Sequence, residues 1–272
     1  MSPRRRRAAT ALAATLSLAL SGLLPGLPAA EVVEDGPLRV SFFGRLAPQA
    51  LPRSGSAPVG VDVGARISSA NSTPPPQLRR ISIAINRNGR FSPGLLPACR
   101  VEQIQPATTQ GALEACRASL VGRGSFSARI LLPAQAPFPS KGEVYAYNGV
   151  YEGRPAILAH VYGTEPAPVS YTLPFQISTI ARGTFGTLLS ASLPQATSEW
   201  GYVTGLQLSL GRNFSRHGER HGFVSASCPA PAGFRGAVFP FARATFAFSG
   251  GIALRSTLTR SCRVLAARPS IG

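Results

Sequence analysis

The stretch CPAPAGFRGAVFPFARATFAFSGGIALRSTLTRSC, residues 228–262, decides how this chain folds. Phe246 and Phe248 share even parity with Ile252, Leu254, Leu258 and Cys262. Side chains of a strand alternate between its two faces, so residues of one parity line one face. If Ser249, Gly250 and Gly251 form a three-residue hairpin loop, Phe248 meets Ile252, Phe246 meets Leu254, and all four share a face. A two-residue loop would set Phe248 against Ala253 and mix the faces, so the three-residue loop is favoured. The opposite face then carries Arg243, Thr245, Arg255, Thr257 and Thr259. Phe239 and Phe241 have the wrong parity for this register, which predicts a bulge or bend near Pro240. The segment reads as a closing hairpin, apolar on one side and basic on the other, locked by its two cysteines.

Outward from this hairpin the same alternation recurs. QLRRISIAINRNG, residues 77–89, puts Ile81, Ile83 and Ile85 on one face and Ser82, Ala84 and Asn86 on the other, with a turn at Asn88 and Gly89. Further strands are predicted at 38–43, 59–67, 126–132, 144–150, 156–162, 171–177, 187–193, 202–210 and 222–226. The strand at 156–162 is apolar on both faces apart from His160, which suits a central position. One helix is predicted over 109–120, with Leu113, Cys116 and Leu120 on one stripe and Gly122 as its cap. Short strands separated by Gly and Pro indicate an all-β fold of sandwich-like antiparallel sheets, in one or two units, with that one short helix. The proline-bearing segment 163–168 reads as a boundary between a first half (31–165) and a second half (169–266), followed by a tail (267–272).

Residues 1–30 combine Arg4, Arg5, Arg6 and Arg7, a short apolar run and small residues at Ala29 and Ala30, the pattern of a secretory signal peptide. Ser17, Ser21, Gly22 and Pro25 interrupt the apolar run, so no transmembrane span is expected after cleavage. The 28 basic residues less those four leave 24 against 11 acids, a net +13, and every base except Lys141 is arginine. That balance predicts attraction to polyanions outside the cytoplasm, such as an anionic cell-wall polymer or lipid headgroups. Specific nucleic-acid recognition is not expected, since no reader motif occurs. The even count of Cys99, Cys116, Cys228 and Cys262 in an exported chain reads as disulfides. Cys99–Cys116 and Cys228–Cys262 are favoured among the three possible pairings because each closes a loop within one folding unit. No C-x-x-C spacing supports a metal site, and none is expected.

Catalytic residue types are scarce. His160 reads as a core histidine. His217 and His221 lie in RHGERHG, whose glycines point to a hairpin tip rather than to the helix that an i, i+4 metal pair needs. There is no G-x-S-x-G, no Gly-rich phosphate cradle and hence no expected cofactor, and GRGSFS (122–127) reads as a turn. Glu143, Glu152 and Glu165 read as solvated turn acids, and Glu31 and Glu34 as part of a mobile N-terminus. No catalytic residue is assigned. The remaining candidate site is a basic hairpin tip, where Arg212, Arg216, Arg220, His217 and His221 could bind phosphate or carboxylate groups. The chain therefore reads as an exported, non-enzymatic binding or structural protein of the cell envelope. Two alternatives are a secreted hydrolase assembled from distant residues and a carrier of a small apolar ligand in a barrel mouth.

The strings QLRRISIAINRNG, CRASLVGRGSF, PAILAHVYG, SASCPAPAGF and STLTRSC resemble a family of exported proteins of GC-rich actinobacteria with no established activity, over about residues 38–265. The resemblance implies export and disulfides across the family, and no catalytic residues.

Overall fold

The computed structural model describes residues 30–164, 168–193 and 201–266. The expected signal peptide (but for Ala30), Glu165 and the tail at 267–272 lie outside the described residues. The chain begins with strands β1 (Glu31–Asp35), β2 (Leu38–Ala47), β3 (Ala50–Leu51), β4 (Ala57–Pro58), β5 (Gly60–Ser69), β6 (Leu78–Asn86) and β7 (Gly89–Phe91). A helical insert follows, made of β8 (Cys99–Arg100), α1 (Val101–Ile104), α2 (Thr109–Cys116) and a 3-10 turn at Arg117–Ser119. Next come β9 (Leu120–Ile130), β10 (Phe138–Tyr151), β11 (Arg154–Gly163), β12 (Val169–Thr179), β13 (Phe185–Ser192) and β14 (Gly201–Leu210). The last strands are β15 (Asn213–Arg216), β16 (Glu219–Gly222), β17 (Val224–Ala226), β18 (Gly236–Phe248) and β19 (Ala253–Val264).

One large, mostly antiparallel sheet runs β1-β2-β5-β14-β9-β10-β11-β12-β13-β6-β18-β19-β3. Strand twist curls it until β19 returns against β2, where the Arg260 Nε donates to the Gly44 carbonyl at 2.7 Å. Gly44 is tightly enclosed there: a Cβ would meet the Asp62 carbonyl of β5 at 2.7 Å and Leu258 Cδ1 of β19 at 3.3 Å. The inward residues of all these strands form one apolar core, and Phe42 meets Phe246 edge to face at 6.0 Å. A small sheet, β4-β17-β7, packs into the same core, with Phe91 against Phe223 at 5.8 Å.

The expected halves do not separate. β5 pairs with β14, and β6 lies between β13 and β18, so each half completes the sheet of the other. The expected boundary joins β11 to β12, which are paired neighbours. The closing hairpin has the expected register: Phe246 faces Leu254, and the Phe248 amide bonds the Ile252 carbonyl at 2.8 Å across the Ser249–Gly251 loop. Its ladder shifts between Pro240 and Ala242, which brings Phe239 and Phe241 to buried positions.

Three local expectations need correction. The helix ends at Cys116, and residues 120–130 are strand, so neither a Gly122 cap nor a turn at 122–127 forms. Gly122 and Gly124 instead let β9 press onto β14: an added Cβ would lie 2.3 Å from the Ser209 carbonyl or 1.9 Å from that of Gln207. Glu31 and Glu34 belong to β1, a full partner of β2, and not to a mobile end.

The structure pairs Cys99 with Cys116 and Cys228 with Cys262, each with Cα atoms 5.7 Å apart. The first bridge staples the helical insert over the outer side of β10 and β11. There Ile104, Ala112, Tyr147, Ala156 and Leu158 make a second, smaller core. That cover explains why β11 is apolar on both faces.

Candidate anion-binding surface

Acids are unevenly distributed around the curl. Among the described residues they occur in β1, β5, β10, β16, the helices and, as Glu152, the β10–β11 turn, whereas the contiguous strands β12, β13, β6, β18 and β19 contain none; Glu165 and Glu199 lie outside the described residues. Burial of Ile81, Ile83, Ile85, Ala244, Phe246, Leu254 and Leu258 inward forces the alternate residues of this arc outward. Register then aligns them in rows. One row runs Gln176, Ser190, Ser82, Thr245, Arg255, and the next runs Ser178, Leu188, Ala84, Arg243, Thr257. Ser192, Arg80, Ala247 and Ala253 make a third, while Thr259, Ser261 and Arg263 continue along β19.

Two arginines of this face, Arg80 and Arg243, are held by neutral groups. Arg80 Nε donates to Ser192 Oγ at 3.3 Å, and Arg243 Nε donates to Thr257 Oγ1 at 3.3 Å. The Arg243 guanidinium also lies 4.6 Å from the centre of the Phe185 ring. Ser82 and Ser190 share a 3.1 Å hydroxyl–hydroxyl bond. These contacts orient the guanidinium groups without cancelling their charge. By contrast, Arg39 and Arg45 on the acid-bearing side pair with Glu34 and Asp62. A planar guanidinium flanked by hydroxyl donors suits phosphate, sulfate or carboxylate oxygens.

The expected basic hairpin forms, as β15 and β16 with His217 and Gly218 as a left-handed two-residue loop (φ 52° and 79°). Its cations do not converge. Arg212 turns away to bond the Ala118 carbonyl at 2.5 Å and that of Leu120 at 3.0 Å, closing the end of the helical insert. Arg216 faces Glu219 in register, Arg220 faces Ser215, and His221 stacks on Phe214 while lying 3.8 Å from Glu219.

His160 is fully buried under the helical insert. Its Nε2 lies 3.1 Å from both the Ala107 carbonyl and Ser170 Oγ, and burial holds its pKa below the ordinary value. This arrangement ties the insert to the sheet, with no carboxylate among its bonding partners. Glu143 bonds the Tyr145 hydroxyl at 2.9 Å and Glu152 bonds Gln176 at 3.0 Å, so these acids serve separate local contacts. Inside the curl, an apolar cavity of about 50 Å³ is lined by Phe42, Val63, Ile83, Phe175, Leu208 and Phe246, among others. An engineered apolar cavity that takes up benzene measures about 150 Å³.

The sequence flagged the arginine-threonine side of the closing hairpin but assigned the site elsewhere. Arg80, Ser82, Ser190 and Ser192 extend that side into a face, and only the pairing of β6 with β13 and β18 reveals it. No helix among the described residues is long and apolar enough to cross a membrane. No family model, curated protein or solved structure matches the chain.

Proposed function

We propose that this protein is an exported, non-enzymatic binding protein of the cell envelope that engages an anionic surface polymer. The contact is made through the outer face of β13, β6, β18 and β19. The carrying observation is the five-strand arc without a single acid, whose outward side presents Arg80, Arg243, Arg255 and Arg263 among serine and threonine hydroxyls. The signal-like N-terminus, the two disulfides and the net charge of the exported chain support the location.

The test is a titration with a soluble poly(glycerol phosphate) at physiological and raised salt. Exposed charge contacts contribute about 0.2–1 kcal/mol each. An Arg80→Gln, Arg243→Gln, Arg255→Gln triple variant should therefore bind roughly 3- to 150-fold more weakly. An Arg216→Gln, Arg220→Gln variant should bind as the parent does. The reverse pattern would move the site to the hairpin, and salt-independent binding would remove the electrostatic basis altogether.

A further inference from the structure

At one end of the β18–β19 pair the outer face changes character. Phe234, Val238 and Leu265 are 64%, 76% and 49% exposed, three of the six large hydrophobic residues exposed on the described surface. They fall together. Val238 pairs with Ser261, Gly236 with Arg263, and the Val264 amide bonds the Arg235 carbonyl, so the same register sets Phe234 opposite Leu265. Arg263, exposed and paired with Gly236, lies between these apolar positions on the same face, and the exposed Arg235 borders them from the opposite parity.

The platform beneath Phe234 is built rather than loose. Arg53 donates to the carbonyls of Ala230, Pro231 and Phe234, the first and last at 2.6 Å. Cys228 is tied to Cys262, the Cys228 amide bonds the Pro52 carbonyl at 2.9 Å, and the Leu265 amide bonds the Leu51 carbonyl at 2.8 Å. No acid occurs in β3, β18, β19 or residues 228–235. The acid-bearing strand β1 packs against β19, and its Glu31 acts on Arg260.

A rigidly presented phenylalanine with two aliphatic neighbours, with arginines between and beside them and free of acid, has the chemistry of a shallow bilayer anchor. The apolar side chains enter the interfacial region while the arginines meet lipid phosphates. Three side chains are also well short of the ~800 Å² per partner that a standard protein interface buries. We infer that this end of β18–β19 docks the protein on an anionic lipid bilayer, leaving the arginine and hydroxyl face beside it exposed. The anchor shares Arg263 with the polymer face, but its apolar residues Phe234, Val238 and Leu265 lie outside that face's arginine and hydroxyl rows.

The experiment is co-sedimentation of the protein, as processed by its own host, with phosphatidylglycerol vesicles and with phosphatidylcholine vesicles. Binding to the anionic vesicles alone is expected. A Phe234→Ser, Val238→Ser, Leu265→Ser variant should partition at least tenfold less, with its affinity for soluble poly(glycerol phosphate) unchanged. Because exposed positions are changed, the fold should survive, and a separate Phe234→Trp variant supplies a direct readout: its added emission should shift to the blue on anionic vesicles. Undiminished partition of the triple-serine variant, or no shift from Trp at 234, would overturn the anchor, as would a self-association of the parent that the serine changes abolish. Loss of polymer binding in the arginine variants with vesicle binding intact would bear on the preceding proposal alone.

Discussion

Single residues carry two of the fold's constraints. His160 is buried neutral, and desolvation lowers its pKa while the carbonyls of Ala107 and Ile104 partly oppose that. The unfolded chain therefore takes up a proton near the ordinary value of 6.5, where the folded chain does not. Stability from this group is complete above that pH and declines as pH falls toward the lower folded value. Urea midpoints should drop between pH 7 and pH 5, and a His160→Gln variant should lose most of that slope; an equal slope in the variant would contradict the assignment. Gly124 is the second case. A methyl group there would strike the Gln207 carbonyl and approach Leu208 Cα at 2.9 Å, both backbone. Gly124→Ala should cost about 1–3 kcal/mol in denaturant titration, since neither strand can yield without breaking the ladder; an unshifted midpoint would mean the two strands are less tightly apposed.

Among the elements, the helical insert depends on a side-chain staple more than on helical propensity. α2 has eight residues, with Thr108 Oγ1 accepting from the Gly111 amide at 3.1 Å as its cap, too short to persist alone. The Cys99–Cys116 bridge closes a loop of 17 residues, for which chain entropy gives about 3 kcal/mol. A Cys99→Ala, Cys116→Ala variant should lose about that much stability, and amide exchange should rise first at Ile104 and Ala112; uniform exchange would contradict a locally stapled insert. This element also marks how far the sequence could be read. The start near residue 109 and the Leu113–Cys116 stripe are local features and visible. The end at Cys116 is not, because a close approach of β9 to β14 draws Gly122 into a strand, and that contact spans about ninety residues of chain.

On the scale of the whole molecule, parity identified the long strands from β2 to β19 and the buried side of the closing hairpin, including the bulge at Pro240, but missed β1 and the short strands β3, β4, β7 and β8. Strand order was beyond it. The isoleucines of β6 demand a covered face but do not name β13 and β18 as neighbours, and the apparent boundary at 163–168 hides a ladder of paired strands. The candidate site suffered the same limit: Arg212 looks like a surface cation in the sequence and is committed to two carbonyls in the fold, whereas Arg80 and Arg255 meet on one face only after the sheet curls. Closure of that curl rests on residues such as Phe246, 1% exposed against Phe42, so Phe246→Ala should cost about 3–5 kcal/mol in thermal or denaturant unfolding. The central claim is that the acid-free arc is the anion-binding surface, and arginine footprinting with phenylglyoxal tests it most directly. With poly(glycerol phosphate) bound, modification of Arg80, Arg243 and Arg255 should slow severalfold while Arg216 and Arg220 react as in the free protein. Protection of Arg216 and Arg220, with the arc arginines unchanged, would contradict the account.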